Sequence, residues 1–357
     1  MLGRARQRSD DANLTLNLSF LMQCLGLREQ GLAIQSLALQ QQRIYRREAT
    51  LPPAGVRLLV LQAAGEMAIN APLDCLLDES DVELIYCYLS PNEPLPIVPE
   101  HDAAYVAICD LEETRTALAS LAETLAHWPR PVINRPQNIR LTGRAAASKL
   151  LSNIPGLLAP PTFHVERNLL RNLAGMDFPV IIRPLDSHAG RDLAKVENLQ
   201  ELDIYLAHVK EPQFYISPFI DYCGNDGLFR KIRVALIDGK PYVCHVGISS
   251  HWMIHYLNAG MYEDSKKREE EAAFMDRFDD FARRHHAAID AIVERAGLEY
   301  LCIDCAEMQD GRLLVFEIDP AMVVHAMDPV DLFPYKQAPM QKVKAAFRNL
   351  LFRLTKR

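Results

Sequence analysis

The stretch "CIDCAEMQDGRLLVFEIDP" (residues 302–320) decides the fold. Its two halves are crowded with apolar, β-branched and aromatic residues on either side of "QDG", which predicts two antiparallel strands joined by a turn. Strand side chains alternate between faces, so Glu317 and Asp319 point the same way. Like charges adjacent on one face cost about a few tenths of a kcal/mol in water and far more when buried. Pairing across "MQDGR" brings Asp304 within a few residues of both. Three carboxylates at one place do not all stay ionised without a cation. Hard oxygen ligands in that number suit magnesium, which keeps waters and bridges to substrate phosphates. An acidic strand edge facing solvent is the plainer explanation, and the apolar density of both strands argues against it.

The 357 residues suggest two or three structural units, and 49% hydrophobic content supports a substantial core. A formal charge of −7 argues against recognition of nucleic acid through phosphate neutralisation. The eight cysteines are scattered, and the one close pair, Cys302 and Cys305, has no second pair to complete a zinc tetrad. Buried reduced thiols are expected. No apolar run reaches the roughly 18 residues of a membrane span, and the polar start lacks the apolar core of a secretory signal. These features point to a cytoplasmic protein without membrane or nucleic-acid partners.

Residues 1–50 predict a helical hairpin. "LTLNLSFLMQCL" has helical spacing, Gly26 interrupts it, and "EQGLAIQSLALQQQRIYR" continues with helix formers. The hairpin resembles one tetratricopeptide helix pair, without a second copy. Residues 55–137 alternate strands ("RLLVLQA", "VELIYCYL", "AAYVAICD", "PVINRP") with a helix over "EETRTALASLAETLAHW", which indicates a small parallel α/β domain. It has no dinucleotide glycine fingerprint. Residues 138–335 read as α+β in two lobes, including a long charged helix over about 263–296, and residues 336–357 as an amphipathic C-terminal helix.

Phosphate binding needs positive groups and pliant backbone. "IIRPLDSHAGRD" (181–192) sets Arg183 at a strand end, followed by a small polar loop. "RKIRV" puts Lys231 and Arg233 on one strand face, again demanding an opposite partner. "FYISPFID" stops at Pro218, where an interrupted ladder frees backbone groups for an adenine edge.

Together, "PVIIRPLDSHAG", "FYISPFID", "RKIRVALIDGKPY" and "CIDCAEMQDGRLLVFEIDP" resemble, in this order, the ATP-grasp superfamily, particularly its ribosomal-protein glutamate ligase-like branch. The resemblance covers about 130–327 and implies an ATP-grasp fold behind the α/β domain. It implies that Arg183 contacts phosphate and adenine. It implies that "DSHAG" with Ser187, His188 and Gly190 folds over the phosphates, and that Ile216, Ser217 and Phe219 border adenine. Arg144 takes the first nucleotide-lysine position, with Lys149 as the competing choice. Arg233, with Lys231, is implied near the transferred phosphate, and Asp304, Glu317 and Asp319 as magnesium ligands. This chain departs from the pattern in carrying arginines at the favoured lysine positions, Pro218 for the adenine-contacting glutamate, and Asp319 where asparagine is usual.

The resemblance therefore implies ATP and Mg2+ as cofactors. The activity implied is an ATP-dependent ligase that activates a carboxylate as an acyl phosphate for attack by an amine or similar nucleophile. The substrates expected are small-molecule or peptide carboxylates and amines, and the chain leaves room for a homodimer. The alternative is a non-catalytic nucleotide-binding scaffold with a degenerate core. "CHVGISSHWMIHYLNAGM" (244–261) is the expected substrate wall, through His245, His251, Trp252, His255 and Tyr256. Helical spacing of 251 and 255 would allow a zinc pair, and substrate contact is the preferred reading.

Overall fold

A computed structural model describes residues 11–356 apart from 91–92, 173–176, 186 and 188–189. Asp11 caps the first helix, α1 (Ala12–Cys24), by accepting from the Leu14 N–H at 3.1 Å. The chain turns at Gly26 into α2 (Arg28–Gln41). The expected continuation of α2 through "IYR" does not form. Ile44–Arg47 is instead a strand, β1. The Tyr45 ring is buried against Tyr88, and its hydroxyl donates to the Ala38 carbonyl at 3.0 Å. That burial outweighs local helix propensity.

The α/β unit contains β2 (Val56–Ala63), α3 (Leu73–Leu76), β3 (Val82–Leu89), β4 (Ala103–Val106), α4 (Arg115–Thr124) and β5 (Val132–Ile133). Its sheet runs β1-β3-β2-β4-β5, parallel except for β1, which pairs antiparallel with β3. The helical hairpin is thus attached to this sheet through an edge strand.

After α5 (Pro136–Ile139), α6 (Arg144–Leu150) and β6 (Leu157–Leu158) comes a small lobe. It comprises β7 (Phe163–Glu166), β8 (Val180–Pro184), β9 (Ala194–Val196), α7 (Leu199–His208) and β10 (Gln213–Pro218), with antiparallel order β7-β10-β8-β9. Its core, built on Val180, Ile182, Leu202, Phe214 and Ile216, is separate from the main one.

The large lobe follows, with β11 (Phe229–Ile237), β12 (Lys240–Ser249), α8 (Ser265–Asp276), α9 (Phe278–Arg284), α10 (His286–Ala296), β13 (Tyr300–Glu307) and β14 (Leu313–Asp319). The sheet order is β12-β11-β13-β14-β6. The single long helix expected over 263–296 is three, with breaks at Arg277 and His285, where the backbone leaves helical geometry. The bends turn Phe278, Phe281, Ile289 and Ile292 inward. The last helix, α11 (Gln337–Thr355), lays Phe347 against Tyr105 of β4 and Tyr300 of β13. One hydrophobic core consequently runs from the α/β unit into the large lobe. Cys302 and Cys305 are buried free thiols.

Candidate active site

The antiparallel ladders place His245, Arg233, Asp304 and Glu317 in one row across β12, β11, β13 and β14, each directly opposite the next. The row floors a cavity of about 650 Å3 between the two lobes, walled by β8 and β10 on the small-lobe side. Arg233 grips Asp304 with two prongs, Nε to Oδ1 at 2.8 Å and Nη2 to Oδ2 at 3.0 Å, while Lys231 Nζ donates to Oδ2 at 3.0 Å. Arg144 Nη2 donates to Glu317 Oε1 at 2.7 Å.

Charge is unevenly cancelled along the row. Burial would raise the Asp304 carboxyl, but Arg233 and Lys231 outweigh it and hold the group well below its ordinary range. Burial likewise opposes ionisation of Glu317, and Arg144 and Arg183 overcome it. For Asp319 the Ala321 N–H, Arg144 and Arg233 do not suffice. Burial, followed by the neighbouring Glu317 charge, pushes it up to about 7. The offset for the paired carboxylates is therefore supplied mainly by basic side chains for Asp304 and Glu317, and it is incomplete for Asp319. Among the described residues, no group of three His, Cys, Asp or Glu side chains is arranged to hold a metal ion. The Glu317–Asp319 pair, with its surplus negative charge, fits a hard divalent cation; Asp304 has both oxygens occupied by cations.

Arg183, buried at the end of β8, donates through Nε to Ser187 Oγ at 3.0 Å and through Nη2 to the Ser187 carbonyl. Burial, then Arg144, pulls its pKa down to about 9. Gly190 reaches the cavity beside His255, so close that a Cβ there would collide with the imidazole. His188 lies outside the described residues. Arg144 lines the cavity, whereas Lys149 faces solvent from the same helix.

At the end of β10, pairing with β7 stops at Ile216 while pairing with β8 continues to Pro218. Ser217, Pro218 and Phe219 line the cavity. Ile216 does not, because alternation turns its side chain into the small-lobe core. Lys195 of β9 lies over the Phe219 ring, 4.1 Å from its centroid. Nothing in "LAKVE" marks it in advance.

Opposite, Trp252 packs edge-on to Phe219, and His245 packs on Tyr256 with centroids 4.8 Å apart. His255 also lines the cavity, but His251 is exposed and outside it. Residues 250–255 are not helical, which removes the geometry of a 251/255 zinc pair. Sequence reasoning missed the buried polar group behind Tyr256: Glu271, Lys336, Asp328, Tyr262 and Tyr335. These residues belong to three separate segments and carry no common motif.

No family model matches the chain. The chain is similar to the RimK domain ATP-grasp protein of Sphaerobacter thermophilus, at 18% identity, covering 83% of this chain and 99% of that one, with a TM-score of 0.48. It is similar to the D-alanine–D-alanine ligase of Bacillus anthracis complexed with ATP, at 15% identity, covering 84% and 97%, with a TM-score of 0.49. The VanG D-Ala:D-Ser ligase of Enterococcus faecalis matches at 12% identity over 83% and 99%, with a TM-score of 0.50. The chain shares the fold of the VanG ligase. Among the described residues, no helix is long and apolar enough to cross a membrane.

Proposed function

We propose that this protein is an ATP- and magnesium-dependent ligase that activates a carboxylate as an acyl phosphate for attack by an amine or similar nucleophile. The observation that carries the reading is the Arg233–Asp304–Glu317 row, flanked by Arg144 and Arg183, beneath an interlobe cavity. The fold shared with the VanG D-Ala:D-Ser ligase supports it.

Arg144, Arg183 and the loop through Ser187 and Gly190 take the phosphates. Ser217 and Phe219 border the base, with Lys195 behind the Phe219 ring. Arg233 and Lys231, prepositioned by Asp304, stabilise charge on the transferring phosphoryl group. Glu317 and Asp319 would hold Mg2+, which when bound neutralises phosphate charge. His245, Trp252, His255 and Tyr256 face the substrates.

Incubation with ATP, magnesium and pooled amino acids and peptides should release ADP and phosphate only when the pool is present. Failure of Mg·ATP to bind by calorimetry overturns the reading. Binding without turnover selects a second reading, a non-catalytic nucleotide-binding scaffold. The occupation of both Asp304 oxygens by Arg233 and Lys231 favours that second reading.

A further inference from the structure

We infer that Lys336 and Glu271, neither of which lines the cavity, are positioning residues that fix His245 beside Arg233; this deepens the ligase reading above and rests on it for the use made of His245. The backbone of β12 is irregular at this point. Arg233 of β11 faces His245 while Val234 faces Val243, so Cys244 is an extra residue in β12. Such a bulge breaks the alternation of faces and re-aims side chains. Cys244 and His245, adjacent in sequence, accordingly both line the cavity.

A bulge disrupts the ladder locally, and two contacts from outside the ladder converge on His245. Both run through Glu271 of α8, which is fully buried. Its Oε1 accepts at 2.8 Å from the Val246 N–H, the peptide that follows His245. Its Oε2 accepts from the Tyr256 hydroxyl at 2.8 Å, and the Tyr256 ring packs on the imidazole with centroids 4.8 Å apart. The Tyr335 hydroxyl donates to the same oxygen at 2.6 Å.

Lys336, 3% exposed, supplies the counter-charge. Its Nζ lies 3.5 Å from Glu271 Oε1 and donates to the Tyr256 hydroxyl at 2.5 Å and to Asp328 Oδ2 at 2.8 Å. Two carboxylates and one lysine buried together add little net stability, because lost hydration offsets their attraction. A fully bonded network of this kind fixes geometry instead. Here it ties the peptide and the ring neighbour of His245 to α8 and to the turn before α11, so the imidazole keeps one place in the row.

The test is nuclear magnetic resonance of the full chain carrying isotope-labelled histidine, with the His245 ring signals assigned by their loss in His245→Gln. Lys336→Met should shift those signals, while the signals of His101, stacked on Trp128 in the α/β unit, stay in place. Tyr256→Phe keeps the ring and cuts its two hydroxyl bonds, so it should shift the His245 signals too. That variant decides the matter if Lys336→Met does not fold. In the ADP-release assay kcat should fall by ~100-fold in the folded variants, with KM for ATP unchanged. Unmoved His245 signals, or equal shifts at His101, overturn the inference. A His245 shift in a protein whose wild type never turns over ATP removes the ligase reading alone. Wild-type turnover that is undiminished in the folded variants removes this inference alone.

Discussion

Arg233 and Asp304 stand opposite each other on β11 and β13 and close a two-pronged ion pair at 2.8 and 3.0 Å in the floor of the cavity. Asp304 is nearly inaccessible, and Lys231 supplies a second cation. The carboxylate thus fixes two basic groups where phosphoryl charge would develop.

Asp304→Asn removes the counter-charge and leaves two mostly buried cations facing each other. Breaking a buried pair in this way costs about 3–5 kcal/mol. Urea denaturation should show a lower midpoint with an unchanged slope; an unaltered midpoint would mean that water screens the pair.

Glu317→Gln keeps the shape of the side chain and discards its charge beside Asp319. Magnesium-dependent ATP affinity should fall by at least ~10-fold, about 1.4 kcal/mol, with the circular dichroism spectrum unchanged. Full retention of magnesium dependence removes Glu317 from the metal assignment.

Gly190 has φ +72°, and its missing side chain makes room for the His255 ring. Gly190→Ala should weaken ATP binding by ~10-fold, since left-handed backbone costs about 1–2 kcal/mol before the collision is counted. Gly156 has φ +75° with open space around it. Gly156→Ala should lower the melting temperature while calorimetry finds nucleotide affinity unchanged.

Glu307 couples to His285 at 3.1 Å and to Arg284 at 2.8 Å. The bond to His285, followed by that to Arg284, holds its pKa at about 2 against the cost of burial. Its unfolded value is about 4.3. A depressed carboxyl contributes stability above the unfolded value, and that contribution disappears as pH falls from about 4.3 towards 2. The side chain is 33% exposed, so screening keeps the effect under about 1 kcal/mol. Melting temperatures of wild type and Glu307→Gln should differ at pH 6 and converge near pH 2.

Elements with strong local patterns were legible in the sequence. β13 and β14 follow from alternation and the turn residues between them, and their pairing placed Asp304 opposite Glu317. β1 was not legible, because "IYR" follows helix formers and becomes a strand only by pairing with β3. β6, two residues long, exists through pairing with β14, distant in the chain, and β9, three residues long, through pairing with the preceding strand β8. The helix breaks at Arg277 and His285 carry neither glycine nor proline. At the site, charged residues on strands were readable from alternation, whereas the parity of Ile216 and the tethering role of Lys336 depend on tertiary neighbours.

The division of the hydrophobic core has a mechanical consequence. The α/β unit and the large lobe share one core, reinforced where Arg348 of α11 clasps Asp81 with two 2.6 Å bonds. The small lobe keeps its own core and joins the rest through two chain crossings, 159–162 and 219–228. The small lobe is thus tied to the rest by backbone connections rather than by a shared core, and Pro160 and Pro161 restrict the backbone of one of them.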